Sequence, residues 1–447
     1  MHTSRTRYGG RRAAATVALA LLLAGAVGTP AVAESIREEQ WYLDAMRAEE
    51  MWRTSTGEGI TVAVIDTGVD PNNADLKGRV LPGKDFAPDE VPGDEHTDYD
   101  GHGTGMAGLI AGTGARGGGN GAFGLAPGAK ILPIRLPVGG TAANKAEGAK
   151  IFNTALAPAI RYAADQGAKV INISQAASQG SPQVTAAVQY ALDSGSLLFA
   201  GVGNEGDKVN EVMYPAATPG VVGVAAVGKD LRRTPWSQYG PQVDLSAPGE
   251  SMVHACGGKT GLCETEGTSD ATALVSASAA LIWSAHPDWT NNQVLRVMLN
   301  TIGAPTDGTR RNDAIGYGIV RPRIALSNPG DPGPADEYPL PDLAEARTSP
   351  SPAPTRTGTA GASEDTDPGM AVPKPDDDSG VPWLAVGTGA AALAGIGVVV
   401  AAVARKRRAP TAPVPGPGQY PYSPAGFGPP PNVPGSHPPP DRGPGTT

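Results

Sequence analysis

With 447 residues the chain could hold two or three average domains, but its 44 prolines and 61 glycines become dense towards the C-terminus, so we expect one large folded domain. The formal net charge of −9 excludes a general nucleic-acid-binding protein, because such proteins need a basic surface to displace counterions from phosphates. Composition and charge leave the function of the chain open, and only local sequence motifs can indicate it.

The N-terminus has the three parts of a secretory signal peptide. Four arginines within the first twelve residues precede an apolar run at 13–27, and Ala31-Val32-Ala33 precedes Glu34. We predict cleavage after Ala33, because signal peptidase requires small residues near the cut. The apolar run is short for a membrane-spanning anchor, the alternative interpretation. We therefore assign residues 1–33 to a signal peptide and expect an exported protein.

Residues 34–326 alternate between predicted strands and helices. Ser181 is a predicted N-cap and Pro182 the first residue of a helix that Gly195 ends. Uninterrupted apolar runs are typical of a parallel sheet covered on both faces, and the pattern predicts an α/β fold with a central, mostly parallel sheet and helices on both faces. The five predicted strands are Ile60–Ile65, Ile131–Ile134, Val170–Ile173, Leu197–Ala200 and Val221–Val227.

Asp66 is the first candidate for catalysis, because it follows a predicted buried strand and begins the tripeptide Asp-Thr-Gly. A strand end can hold a buried carboxylate beside an imidazole. The same tripeptide marks aspartic proteases, which use two carboxylates that share a proton. The chain has no second Asp-Thr-Gly, which argues against that mechanism.

His102 is the second candidate. It lies in the segment 100–105, Asp-Gly-His-Gly-Thr-Gly, at the start of a predicted helix. Small residues on both sides of the histidine leave room for a substrate beside the ring. A lone histidine is more often structural, so the context rather than the residue indicates function.

The segment 201–206, Gly-Val-Gly-Asn-Glu-Gly, formally fits the dinucleotide-binding pattern Gly-x-Gly-x-x-Gly. A Rossmann site requires a helix next, but residues 207–215 lack helical periodicity, and an exported protein is separated from nucleotide pools. Asn204 instead supplies an amide that can donate to an oxyanion.

The cysteines Cys256 and Cys263 predict a disulfide that closes the small loop 257–262, because export exposes them to an oxidising environment. A zinc site would need more ligands at shorter spacing.

Ser269 ends the tripeptide Gly-Thr-Ser and precedes an Ala-rich stretch that predicts a helix to about His286. At a helix N-terminus, the backbone N–H of Ser269 and the positive end of the helix dipole can stabilise negative charge on a substrate carbonyl oxygen. A lone Gly-Thr-Ser would more often be a helix cap.

The C-terminal part of the chain divides into three segments. Residues 327–380 are rich in Pro, Gly, Ser, Thr and acidic side chains, which predicts an extended extracellular linker. Residues 381–404 carry no charge and are long enough for a transmembrane helix, with a buried core helix as the alternative. Residues 405–447 begin with four basic residues and continue rich in Pro and Gly, which predicts a disordered cytoplasmic tail and an extracellular folded domain.

The motifs around Asp66, His102, Asn204 and Ser269 together resemble the subtilase family of serine proteases, whose triad occurs in the order Asp, His, Ser. The resemblance covers residues 40–326. It implies that Ser269 attacks the peptide carbonyl, that His102 takes and returns the proton, that Asp66 orients the imidazole and that Asn204 donates to the oxyanion.

The resemblance also implies that Ser174, Gln175 and Ala176 line the substrate cleft, where the family usually has Ser-Leu-Gly. In the nucleophile motif, Ala273 and Ala277 replace the usual proline and glycine. These departures bear on specificity more than on the chemistry.

Two further positions depart from the family pattern. Gly105 stands where the family often has a second histidine. The Gly-rich segment 112–121 lies where some subtilases bind calcium, but it offers almost no carboxylates, so we expect no metal there and no cofactor.

The order of segments is similar to that of the mycosins, the membrane proteases of actinobacterial type VII secretion systems. Only a few residues separate Ala33 from the start of the resemblance near Gln40, so we expect no large inhibitory prodomain. The resemblance implies exported proteins as substrates and the secretion membrane complex as partner.

The rival hypothesis is a subtilase-shaped structural subunit that stabilises the complex, with weak or dispensable proteolysis. The altered Gln175 and Ala176 favour this rival, whereas the complete triad favours an enzyme. A membrane-tethered binding module would leave the three catalytic motifs unexplained.

Overall fold

The computed structural model describes residues 35–88, 90–137 and 142–348. Seven parallel strands form the central sheet in the order β2-β3-β1-β4-β5-β6-β7. The strands are β1 (Thr61–Asp66), β2 (Lys84–Asp85), β3 (Lys130–Arg135), β4 (Val170–Ile173), β5 (Leu197–Gly201), β6 (Val222–Val227) and β7 (Leu245–Pro248).

The predicted α/β fold with a parallel central sheet is confirmed. Each of the five predicted strands overlaps a strand of the sheet to within one residue at either end, because each is a buried apolar run. Two short strands were not predicted. β2 is only two polar residues at the sheet edge, and β7 reads Leu-Ser-Ala-Pro, which is not an apolar run.

Ten α-helices accompany the sheet within the described ranges. They are α1 (Ile36–Glu39), α2 (Trp41–Met46), α3 (Ala48–Trp52), α4 (His102–Ala111), α5 (Lys145–Asp165), α6 (Pro182–Asp193), α7 (Thr268–Ala285), α8 (Asn291–Asn300), α9 (Pro322–Ser327) and α10 (Asp342–Thr348).

The side chains of β1 divide between two hydrophobic cores. Val62 and Val64 belong to the core that contains buried side chains of α4, α7 and α8. Ala63 and Ile65 belong to the core that contains those of α5 and α6. Because successive residues of a strand point to opposite faces, this alternation places helices on both sides of the sheet.

Helix α6 shows how closely local sequence sets a boundary. The Ser181 hydroxyl accepts a hydrogen bond from the Val184 N–H at 3.2 Å, and Pro182 is the first helical residue. Gly195, at φ 85°, follows the last turn in the left-handed region. The predicted start and end of this helix are confirmed.

A separate two-stranded antiparallel hairpin precedes α7. It consists of β8 (Met252–Ala255) and β9 (Leu262–Thr265), and the predicted disulfide between Cys256 and Cys263 is present in it, with the two Cα atoms 5.8 Å apart. The bond links the end of β8 to β9.

The folded chain continues beyond the predicted domain boundary at residue 326. The Arg296 guanidinium donates to the backbone carbonyls of Pro332, Pro334 and Glu337 at 2.9, 2.7 and 2.6 Å. Leu340 is 3% exposed and packs in the core on the α7 side of the sheet. The first part of the predicted linker therefore packs on the domain, up to α10.

Among the residues that the structure describes, no helix is both long and apolar enough to cross a membrane. The predicted signal peptide, the predicted span at 381–404 and the predicted tail lie outside the described residues.

We expect a chain that ends at residue 348 to unfold at a higher temperature than one that ends at 326, when both begin after Ala33. Burial of a leucine such as Leu340 is worth about 2 kcal/mol, and the shorter chain also leaves the Arg296 guanidinium without its carbonyl acceptors. Thermal unfolding measures the difference. Equal melting temperatures would show that the segment 327–348 adds no stability.

Candidate active site

The candidate residues meet at the edge of the sheet where three neighbouring strands end. Asp66 is the last residue of β1, Ser174 directly follows β4, and Asn204 lies three residues after β5. Ser269, at the start of α7, and His102, at the start of α4, face the same edge. Ligand sites of parallel α/β sheets lie at this carboxyl edge.

A cleft of about 620 Å³ opens above these residues. His102, Ser174, Gln175, Ala176, Asn204 and Ser269 all line it. Asp66 is fully buried beneath the cleft. All residues predicted for catalysis, the oxyanion and the substrate wall are therefore brought together at one surface, and the disulfide lies in the adjoining hairpin.

Asp66 and His102 are in direct contact. The Nδ1 atom of His102 lies 2.7 Å from Oδ1 of Asp66, and the same oxygen accepts the Thr67 N–H at 2.8 Å. This contact fixes the orientation of the ring and assigns the Nδ1 proton to the carboxylate side, so that Nε2 is the atom available for proton transfer.

The negative charge of Asp66 stabilises the protonated imidazole and raises the pKa of His102 to about 9, although burial acts in the opposite direction. The negative charges of Asp270 and Asp100 also raise the pKa of His102, by less than that of Asp66. The imidazole therefore keeps its proton until the pH approaches that value, and only its neutral form can act as a general base.

Ser269 is the second residue of α7 and is 9% exposed. Its hydroxyl donates to the backbone carbonyl of Ser174 at 3.1 Å. Its backbone N–H is among the first four of the helix, which have no partner within the helix, and it lies at the positive end of the dipole. The position favours negative charge on a bound atom.

The side chain of Asn204 is held by its oxygen. Its Oδ1 accepts one hydrogen bond from the backbone N–H of Thr268, at 2.9 Å, and another from the Thr268 hydroxyl, at 3.0 Å. Because the oxygen is engaged, the amide NH₂ of Asn204 remains as the donor that can serve the cleft.

A polar pair that the sequence did not reveal joins β4 to α7. Asn172 is fully buried, its amide donates to the Ser174 hydroxyl at 3.0 Å, and its oxygen accepts the Ser276 hydroxyl at 2.9 Å. These two hydrogen bonds fix the position of the cleft wall at Ser174 relative to α7. Asn172 interrupts an apolar strand, which was the available signal.

Asp98 is a second residue that the sequence did not reveal. Its Oδ1 accepts the Thr67 hydroxyl and the Gly101 N–H, both at 2.8 Å. Its Oδ2 accepts the N–H and hydroxyl of Thr104 at 2.8 and 2.6 Å. One carboxylate thus ties the loop after Asp66 to the first turn of α4. An acidic residue shortly before a helix start was the available signal.

Gly103 is required by the close approach of the same two segments. A Cβ atom at this position would lie 2.2 Å from the carbonyl oxygen of Gly68, in the loop that follows β1. Only glycine lets α4 come near enough to the end of β1 for His102 to reach Asp66.

The fold and the cleft define an α/β protein with a polar site at the carboxyl edge of a parallel sheet. Residues 57–318 match the family described as the Subtilase family. This chain belongs to that family, which confirms the predicted resemblance and the predicted class of enzyme, a subtilisin-like serine endopeptidase.

Two characterised relatives show the extent of the similarity. Intracellular serine protease of Paenibacillus polymyxa is 35% identical over 258 residues, which cover 55% of this chain and 75% of the relative. Thermitase of Thermoactinomyces vulgaris is 35% identical over 240 residues, which cover 54% of this chain and 80% of the relative.

Solved structures of mycosins are also similar. MycP1 from Mycobacterium smegmatis superposes with a TM-score of 0.58 at 29% identity, over 69% of this chain and 89% of that one. The MycP3 protease from the type VII (ESX-3) secretion system superposes with a TM-score of 0.56 at 32% identity, over 66% of this chain and 90% of that one. The predicted similarity to mycosins is confirmed.

We expect Asp98→Ala to lower both stability and kcat. The substitution leaves the first turn of α4 without the carboxylate that holds it, at a cost of about 1–2 kcal/mol, and it loosens the contact between His102 and Asp66. Thermal unfolding and peptide hydrolysis measure the two effects. Asp207→Ala, in an exposed turn, is the matched control. An Asp98→Ala variant with parental kcat would contradict the positioning role.

Proposed function

We propose that the chain cleaves peptide bonds through an acyl-enzyme, with Ser269 as nucleophile, His102 as general base and acid, and Asp66 as the residue that orients the imidazole. The observation that carries the proposal is the 2.7 Å contact between the buried Asp66 and His102, beside the cleft in which Ser269 begins α7. We further propose that the protease acts within a type VII secretion system.

In this mechanism, the Ser269 hydroxyl first rotates away from the carbonyl of Ser174 towards Nε2 of His102. His102 takes the proton while Oγ attacks the peptide carbonyl carbon, and the imidazolium is stabilised by the charge of Asp66. The imidazolium then donates its proton to the leaving amine, and the Ser269 ester remains. Water, activated by the same imidazole, hydrolyses the ester and restores the hydroxyl.

Two donors serve the oxyanion that forms during attack. One is the backbone N–H of Ser269 at the start of α7, and the other is the NH₂ of Asn204, whose oxygen is already bound to Thr268. A donor of this kind typically contributes about 3 kcal/mol to the transition state.

We expect Ser269→Ala to abolish peptide cleavage and labelling by a fluorophosphonate probe without lowering the melting temperature appreciably, because only one hydroxyl at a helix start is removed. Ser284→Ala, a half-buried serine of the same helix, is the matched control and should keep both activities. Labelling that persists in Ser269→Ala would overturn the assignment of the nucleophile.

We expect kcat/KM for a peptide substrate to rise from neutral to alkaline pH. His102 acts as a base only when neutral, and its pKa is raised to about 9, above the ordinary value of about 6.5, so activity is lost as the pH falls through the raised pKa. A pH profile normalised to the concentration of labelled active sites measures this. A profile that is flat across this range would contradict the proposed base.

The type VII role is supported by the similarity to MycP3, described as a protease from the ESX-3 secretion system, and to MycP1, described as an essential component of the ESX-1 system. We propose that exported proteins are the substrates and that the secretion membrane complex is the partner. The predicted signal peptide and span, with the basic run after residue 404, support a single-pass membrane protein with an extracellular protease domain and a cytoplasmic tail.

A comparison of three strains separates proteolysis from a structural role in the complex. We expect Ser269→Ala to stop the processing of exported proteins while export continues, because the folded surface is preserved. Deletion of the whole chain should be more damaging, since an interface depends on folded shape. Secreted proteins are compared in the parent, Ser269→Ala and deletion strains. Unchanged processing in Ser269→Ala would refute the proteolytic role, and equal loss of export in both strains would refute a separate structural role.

A further inference from the structure

An acidic residue directly follows the candidate nucleophile. Asp270 is 2% exposed and lies in the first turn of α7. A buried negative charge at this point would oppose the negative charge that develops on the substrate oxygen beside Ser269. The site therefore needs a way to keep Asp270 from acting as a net charge.

Asp270 is linked through a hydroxyl to a buried histidine of the hairpin. The Thr265 hydroxyl makes a short hydrogen bond to Oδ1 of Asp270, and it lies 2.8 Å from Nε2 of His254. His254 is 1% exposed, and its Nε2 is 3.7 Å from Oδ1 of Asp270. The three side chains form a continuous polar chain behind the nucleophile.

The hydrogen bonds of this chain determine how many protons it holds. The carbonyl of Ala255, 2.9 Å from Nδ1 of His254, can only accept, so Nδ1 carries a proton. One further proton remains to be shared. If the proton is on Nε2 of His254, this N–H donates to the Thr265 hydroxyl oxygen, and the Thr265 hydroxyl donates to the Asp270 carboxylate. If the proton is instead on Asp270, the carboxyl O–H donates to the Thr265 hydroxyl oxygen, and the Thr265 hydroxyl donates to Nε2. In both arrangements every contact is made and the net charge is zero.

Burial favours the arrangement in which both groups are neutral. It raises the pKa of Asp270 and lowers the pKa of His254, and the mutual attraction of the two groups acts in the opposite direction for each. The other titratable groups that act on the pair are His102 on α4 and Tyr42 on α2. Tyr42 is buried, and burial, with a smaller effect of Asp270, raises its pKa, so it stays neutral.

The chain has room for His254 because position 105 lacks a side chain. A Cβ atom at Gly105 would lie 2.8 Å from Cε1 of His254. Gly105 and the pairing of His254 with Asp270 are therefore parts of one arrangement, which the disulfide-bonded hairpin holds against α4.

We propose that His254, Thr265 and Asp270 form a positioning network that shares one proton and keeps the region behind Ser269 electrically neutral during peptide cleavage. This rests on the proposed function of Ser269 and His102. His254 does not touch the substrate in this role. It acts by sharing a proton with Asp270, so that no unbalanced negative charge opposes the oxyanion or strengthens the hold of His102 on its proton.

The test is a double-mutant cycle with His254→Gln and Asp270→Asn. His254→Gln can still hydrogen-bond to Thr265 but cannot share the proton, so that at alkaline pH Asp270 ionises alone and leaves a negative charge without a partner. We expect kcat to fall about tenfold and the acid limb of the kcat/KM profile to move to higher pH, with KM little changed. Adding Asp270→Asn to His254→Gln should restore most of kcat and return the acid limb, because the charge to be balanced is gone. His286→Gln, a histidine outside the network, is the matched control and should move neither.

A double variant with the same kcat and the same acid limb as His254→Gln would overturn the proposal, since the histidine would then matter only for packing. If His254→Gln fails to fold, the melting temperatures carry the test: the double variant must be the more stable of the two, and equal instability would refute charge compensation. Fluorophosphonate labelling that persists in Ser269→Ala is a separate outcome, which refutes the proposed function without bearing on this cycle.

Discussion

The contact between Asp66 and His102 joins residues 36 positions apart, and much of the site is arranged to make it possible. It requires β1 to end in a buried carboxylate and α4 to begin within reach of it. Gly103 permits the approach of the two backbones, and Asp98 holds the two segments together from outside. The imidazole is thus oriented by the ends of two regular elements rather than by a flexible loop.

Ser269 and Asn204 are likewise positioned by regular elements rather than by a flexible loop. Helix α7 packs against the sheet through small side chains, and its Ser276 hydroxyl donates to the buried Asn172 of β4. These contacts fix the position of Ser269 relative to the sheet. The Thr268 backbone and hydroxyl hold Asn204 from the same helix start. Ser269, Asn204 and the cleft wall at Ser174 are therefore all positioned by contacts with α7.

Sequence alone predicted the elements whose signals are local. Apolar runs predicted five strands, Ser181 and Pro182 predicted a helix start, and the motifs around Asp66, His102 and Ser269 predicted residues that lie at or beneath one cleft. It missed Asp98, Asn172 and the pairing of His254 with Asp270, because polar contacts between distant segments leave no periodic pattern. It also placed the end of the folded domain too early. Proline-rich composition indicates few apolar side chains, whereas residues 328–340 are held by backbone carbonyls that accept from Arg296, Asn292 and Gln293, and by the burial of Leu340.

The complete burial of α7 from Thr268 to Trp283 has a further consequence. A helix enclosed on all sides cannot fray or open by itself, because any opening exposes the core on that side of the sheet, and its local unfolding free energy approaches that of the whole domain. Ser269, at the start of α7, is therefore equally protected from local unfolding. Such an enzyme retains its geometry as long as it retains its fold, so thermal inactivation and global unfolding become one event rather than two.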